Sequence, residues 1–399
     1  MLAPEDAWAR LEPHLTPLET VEMPLASALG RRLVRDQSAC ADVPFADVSA
    51  MDGYAYAGDR GAGARLPVAG RIAAGDPPGR PLPEGGALRI MTGAPVPAGA
   101  DRVIPVEQTD GGRDLVTLQA SVAAGANIRR RAEVHRRGDT LVPASTELRA
   151  ETLGLLASHG HLSVPVHRPP RVSIVVTGDE VVPPDEEPAP GRLRDAHGAF
   201  LAAAATALGA ETTWLGIAPD RRDALEAFVR RGLAHDVLLL TGGVSMGELD
   251  FVEDVLTAQG CDLLFDAVAV QPGKPLVAAV HERGLVFGLP GNPASVVVTF
   301  RLFVQPALRR LQGHDDRFWH GALRARLAGP LPGARGRDRF LPARLAIVDR
   351  ALEATPLPGR GSHDLAGHAL GAALVRVRAG AGPREAGEAC EVLPATGFC

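Results

Sequence analysis

The sequence predicts a multidomain α/β plus β protein. It should have an N-terminal segment with a β-rich inserted lobe, a central doubly wound, mostly parallel α/β domain, and a small C-terminal β-barrel. Strands and helices alternate between residues 169 and 312, and the strand runs there are almost wholly apolar, as in sheets covered on both faces. On either side, short apolar runs stand between clusters of Gly, Pro and Asp, a β-rich texture. A length of 399 residues also predicts several domains, at roughly 100–200 residues each. The boundaries fall at 1–168, with the lobe at about 55–148, then 169–312 and 313–399.

The elements follow in order. Helical patterns cover 4–12 and 27–34, with Ser27 as N-cap of the second. Short strands at 89–91, 102–106 and 115–118 build the lobe, and a helix covers 151–159. The doubled proline Pro169-Pro170 marks a boundary. Beyond it, strands at 172–177, 212–217, 236–240, 263–270, 276–280 and 285–289 are interleaved with helices at 195–208, 220–233, 251–258 and 293–311. After residue 316 the alternation stops. Short runs at 321–327, 339–345, 373–377 and 389–393 predict the small barrel.

Composition excludes several classes. Hydrophobic residues make up 46% and charged ones 22%, which is ordinary for a soluble globular chain. A net charge of −5 argues against wrapping nucleic acid, and 4% aromatics argues against a single-strand stacking platform. Cys40, Cys261, Cys390 and Cys399 form no CxxC pair, so neither a zinc ribbon nor a dithiol site is supported. The N-terminal residues lack the apolar core of a secretory signal, and the alanine-rich run at 199–210 is too short to span a bilayer. A soluble, cytoplasmic protein with no membrane or nucleic-acid partner is expected. Of 42 basic residues only Lys274 is a lysine; the other 41 are arginines.

Three turns follow apolar strands directly: TGDE (177–180), TGGVSMGELD (241–250) and LPGNPAS (289–295). Ligands of open parallel sheets bind beyond the carboxyl ends of the strands. Glycine permits close backbone approach there, and free N–H groups at helix starts favour anions. Asn292 suits an N-cap and Pro293 a first helical residue. Any one of these is also the ordinary form of a strand–helix turn; three together indicate a ligand. Carboxylates among such turns (Asp179, Glu180, Glu248 and Asp250) suit Mg²⁺ shared with substrate phosphates. Two further ordered segments are SAMDGYA (49–55) and IMTGAPVPAGADRVIPVE (90–107).

Taken in order with QPGKP (271–275) and GLPGNPAS (288–295), these segments resemble the molybdopterin molybdenumtransferase family of molybdenum cofactor synthesis, related to the E domain of gephyrin. The resemblance covers nearly the whole chain. It implies insertion of molybdate into adenylylated molybdopterin with release of AMP, assisted by Mg²⁺, in a homodimer that contacts other cofactor-synthesis proteins. It assigns Asp52, Thr92, Lys274 and Asp250 to catalysis, with Glu180 and Asp250 on the metal. Substrate would be held by Thr177, Gly178, Asp179, Gly242, Gly243, Ser245, Pro290, Gly291, Asn292 and Ser295. In the family, Asp52 and Thr92 would reach the cleft from the partner subunit.

The sequence departs from the family pattern in charge. Gln271 and Ala267 stand where members carry lysine, Val134 stands at an acidic position, and Asp195-Ala196-His197 replaces a DSN-like turn. Arg129, Arg130 or Arg131 would have to compensate. A non-catalytic pterin-binding or scaffolding relative is therefore the alternative. The adenylyltransferase of the preceding step is a third reading, disfavoured by the long flanking domains.

Overall fold

The computed structural model describes residues 1–243 and 251–395. Contacts divide the chain into two compact units. One holds Met1–Val21, Gly30–Val34 and Pro165–Cys399; the other holds Glu22–Leu29 and Arg35–Val164.

The first unit is built on a six-stranded sheet. Its elements are β1 (Arg171–Thr177), α1 (His197–Ala207), β2 (Glu211–Ala218), α2 (Arg222–Gly232), β3 (Val237–Thr241), α3 (Val252–Ala258), β4 (Asp262–Ala267), β5 (Pro275–His281), β6 (Gly284–Leu289) and α4 (Pro293–Thr299). The strand order is β2-β1-β3-β6-β5-β4. Alternate residues of each strand enter opposite cores. Val172, Ile174, Val237 and Leu239 pack with Leu201 and Ala205 of α1, whereas Val175, Leu238 and Leu240 pack with Val229 of α2 and Val255 of α3. This is the doubly wound arrangement expected of apolar strands. Four strands, β2, β1, β3 and β6, are mutually parallel. The other two are not: β5 runs antiparallel to β6, and β4 antiparallel to β5. Only Glu282 and Arg283 join β5 to β6. So short a link cannot make the crossover that a parallel pair needs.

The last strand leads into α4, a π-helical stretch Phe300–Val304 and a helix Gln305–Leu311. The C-terminal barrel follows. Its strands Leu323–Leu327, Asp338–Val348, Ala351–Pro356, Ala373–Val377 and Ala389–Pro394 close on themselves, because Asp338–Val348 pairs with both Ala351–Pro356 and Ala373–Val377. The strand Ala351–Pro356 and the helix Ala366–Leu370 were not anticipated. One barrel contact reaches the α/β domain. Val270–Gln271 pairs with Asp338–Val348, setting Gln271 opposite Arg339 and bringing the QPGKP segment to the barrel.

The second unit contains a five-stranded sheet in the order Arg102–Pro105, Gly53–Tyr56, Ala87–Ile90, Arg65–Ile72, Leu115–Thr117. Tyr54 and Tyr56 enter one core, and Ala55 enters the other. The expected helix at 27–34 does not form. Leu25–Ser27 makes a single 3-10 turn, and Gly30 takes φ +73°. Beyond it, Arg31 donates to the Gly209 carbonyl at 2.8 Å and Arg32 to that of Gly313 at 3.0 Å. These tertiary bonds override a weak local helix preference. Among the described residues no helix is long and apolar enough to cross a membrane.

Candidate functional site

The strand ends β1, β3 and β6 open onto a cavity of about 620 Å³. Its walls include Thr177, Gly178, Glu180, Gly242, Gly243, Pro290, Gly291, Asn292 and Ser295, so nine of the expected residues meet in one place. Local geometry demands the glycine at 242. It has φ +86°, and a Cβ there would lie 2.5 Å from the Thr177 hydroxyl oxygen and 3.0 Å from its carbonyl oxygen. Thr177 is buried and spends its hydroxyl on the Thr241 carbonyl at 3.1 Å, so it ties the two turns together.

Asn292 holds the N-cap position of α4, but its side chain makes no capping bond. The helix start also lacks the free donors expected of it. Pro293 has no N–H. The Ala294 N–H is taken by the Ser362 carbonyl at 3.0 Å, and those of Ser295 and Val296 by the Asn292 carbonyl at 2.9 and 3.1 Å. An anion here would be held by side chains or by the glycine turns, not by the helix terminus. The exposed Asn292 amide is free of cap duty and lines the cavity.

Asp179 lies elsewhere. Its backbone and carboxylate exchange bonds of 3.2 Å with those of Asp220, and it lines a separate cavity with Arg192 and Trp214. Glu180 is exposed and keeps its carboxylate beside Gly178, where a Cβ would come within 2.7 Å of it. Ser245, Glu248 and Asp250 lie outside the described residues. Among the described residues no group of three or more His, Cys, Asp or Glu could hold a metal alone.

Sequence reasoning underrated the Asp195 turn. Asp195 is buried and accepts from the N–H groups of His197 (2.8 Å) and Gly198 (3.0 Å), which starts α1 at the cavity wall. His197 contacts the Thr241 hydroxyl at 3.3 Å. Burial lowers its pKa, against the raising influence of Asp195. An Asp two residues before a helical N–H is a legible cap signal. His363, from the barrel region, lines the same cavity and carries no local signal at all.

Lys274 lines an adjoining cavity of about 480 Å³ that shares Pro275, Asn292 and Ser295 with the first. Arg337 and Arg339 line it as well. None of these three cations has an ion-pair partner among the described residues. The nearby Asp364 is occupied at a helix start, accepting from the Arg360 and Ala366 N–H groups. By contrast, Arg130 and Arg131, expected to compensate for missing lysines, are engaged by Asp47 and Asp42.

In the other unit, Asp52 and Thr92 meet directly. Asp52 Oδ1 accepts from the Thr92 N–H at 2.7 Å and its hydroxyl at 2.9 Å. The backbone bond first, then the hydroxyl, lowers the Asp52 pKa, so the carboxylate is ionised.

Family models match along the chain: the MoeA N-terminal region (domain I and II) over residues 2–160, a "probable molybdopterin binding domain" over 173–310, and the MoeA C-terminal region (domain IV) over 324–395. A molybdopterin molybdenumtransferase of Nostoc sp. is 35% identical over 84% of this chain and 79% of its own. One from Synechococcus elongatus is 37% identical over 73% and 75%. The crystal structure of a molybdopterin biosynthesis moeA protein from Pyrococcus horikoshii superposes with a TM-score of 0.84 at 29% identity, covering 100% of both chains.

Proposed function

The chain belongs to the molybdopterin molybdenumtransferase family, and on that premise we propose that it inserts molybdate into adenylylated molybdopterin and releases AMP. The observation that carries this reading is the pair of adjoining cavities: a glycine-, serine- and asparagine-lined one at the strand ends, and one holding three cations that have no ion-pair partner among the described residues. The first suits the pyrophosphate, since Gly242 and Gly291 let oxygen atoms approach the backbone and Asn292 and Ser295 offer donors. The second suits a tetrahedral oxyanion. Lys274 supplies a compact ammonium, and Arg337 and Arg339 supply planar forks. Molybdate held there would stand next to the substrate, which shares Asn292 and Ser295 with it.

Mg²⁺ is usually bound by one or two carboxylates plus substrate phosphates. Glu180, an exposed carboxylate on the rim of the first cavity, fits one such share; Asp250 would provide the other. The ion would neutralise phosphate charge and polarise the bond to be broken. We further propose a homodimer in which Asp52 and Thr92 act at the partner subunit's cleft.

The scaffolding alternative rested on the missing lysines. Arg339 opposite Gln271 removes much of that argument, because it returns a cation to the same neighbourhood. The test is incubation with adenylylated molybdopterin, Mg²⁺ and molybdate. A transferase releases AMP and yields cofactor that reconstitutes an apo-enzyme; a scaffold binds without turnover; an adenylyltransferase consumes ATP and molybdopterin instead.

A further inference from the structure

Next to the phosphate cavity lies a larger one, of about 820 Å³, which shares Gly178, Val181 and Asp195 with it. Its volume falls in the range of small-molecule sites, about 300–1,000 Å³. The reading above gives it no role. Its most unusual wall residue is Trp214 on β2, 45% exposed.

Two backbone features set the indole there. Gly198, at the start of α1, would place a Cβ 2.2 Å from Trp214 Cζ3, so only glycine lets the ring lie against the helix. The β1–β2 ladder also shifts register immediately after Trp214. Ile174 pairs with Trp214, but Val175 pairs with Gly216, which leaves Leu215 as an extra residue. Gly216 takes φ +118°. Such a bulge re-aims side chains and recurs beside binding sites. Pro183, Pro184 and Ala202 add apolar wall, Asp179, Glu186 and Asp195 bring carboxylates to it, and Arg192 adds a guanidinium with no ion-pair partner among the described residues.

We propose that this cavity takes a bicyclic nitrogen heterocycle, stacked on the Trp214 indole, with its phosphate directed into the neighbouring cavity. The proposal rests on the transferase reading, whose substrate carries such a ring at each end of its pyrophosphate, a pterin and an adenine. Stacking on an indole recognises the π-face that both share, and a guanidinium can cover the other face. The shared wall at Gly178 and Asp195 gives the ring and its phosphate continuous housing.

Calorimetric titrations of the full chain test this with three probes: AMP, a pterin bearing a methyl phosphate side arm, and ribose 5-phosphate. Trp214→Leu should weaken binding of the ring-bearing probe by about ten- to hundredfold, while Trp214→Phe retains most of it. Ala199→Phe, which fills the cavity from an exposed position on α1, should weaken it similarly. Ribose 5-phosphate binding should be unchanged throughout. An effect on AMP assigns the adenine to the cavity, and an effect on the pterin assigns the other end. Should Trp214→Leu fail to fold, Ala199→Phe decides alone. Unchanged affinity for both ring-bearing probes in the variants, with wild-type binding intact, overturns the inference and leaves the transferase reading standing. Absence of binding of every probe to the wild type overturns both.

Discussion

Asp52 and Thr92, 40 positions apart, are joined through a single carboxylate oxygen that accepts both the N–H and the hydroxyl of the threonine. The arrangement fixes the carboxylate and leaves Oδ2 without a bond to Thr92. An ionised carboxylate held this way is suited to position a substrate group or water. Thr92→Val removes one of the two bonds and should lower AMP release by about tenfold or less. Asp52→Ala should lower it by about a hundredfold or more. Equal, small effects of both would show that the pair only braces a turn.

Lys274 gives the sharpest test of the anion cavity. An ammonium and a guanidinium differ in size and in the geometry of their donors. Lys274→Arg should therefore lose cofactor formation by about ten- to hundredfold although net charge is unchanged. Arg339→Gln should raise the molybdate concentration needed for half-maximal turnover. If Lys274→Arg and Lys274→Ala both work nearly normally, the lone lysine is an accident of composition.

At Gly242 the backbone admits no side chain. Gly242→Ala would set a methyl group 2.5 Å from the Thr177 hydroxyl oxygen at φ +86°, so the turn must shift. Strain at a left-handed position costs roughly 1–2 kcal/mol. The thermal midpoint should fall by a few degrees, and affinity for the substrate's phosphates should fall with it. An unchanged midpoint and unchanged binding in this variant would sink the cradle argument.

Acid should loosen the barrel side of the molecule through His368. Burial first, then Arg301, lowers its pKa to about 4, against the raising effect of Asp364. The folded state thus binds the proton less well than the unfolded chain, whose histidine titrates near 6.5. The stabilising contribution is complete above pH ~6.5 and is lost as pH falls through about 4. His368→Gln should flatten the dependence of the unfolding midpoint on pH across that window. A slope identical to wild type would falsify the assignment.

The oligomer can be read by complementation. If the site is shared between subunits, mixing Asp52→Ala chains with Asp250→Ala chains should restore part of the activity through heterodimers. Heterodimers that form but remain inactive would rule out sharing.

Much of the fold was legible because β1 and β3 are continuous apolar runs and α2 has a clear polar face; burial on both sides of a sheet leaves that trace in sequence. The sheet is mostly parallel, as expected, but which strands run the other way was not legible, since an apolar strand such as β5 does not state its direction. The helix expected at 27–34 failed where Arg31 and Arg32 found distant carbonyls, a competition that no local pattern records. Helix donors expected at 293 proved to be occupied by the Ser362 and Asn292 carbonyls.

By itself, the sequence determined which chemistry is present: glycine turns at strand ends, the ordered motifs of the family, a single lysine among arginines. Those are local facts, set by spacing and residue type. Only the tertiary structure decided which charges share a cavity. Arg337, Arg339 and His363 lie beyond the α/β segment, in a region whose short strands carry no ligand signature. They reach the site because Val270–Gln271 pairs with a barrel strand. A cation's partner depends on distance in space, and backbone pairing sets that distance across many residues of sequence.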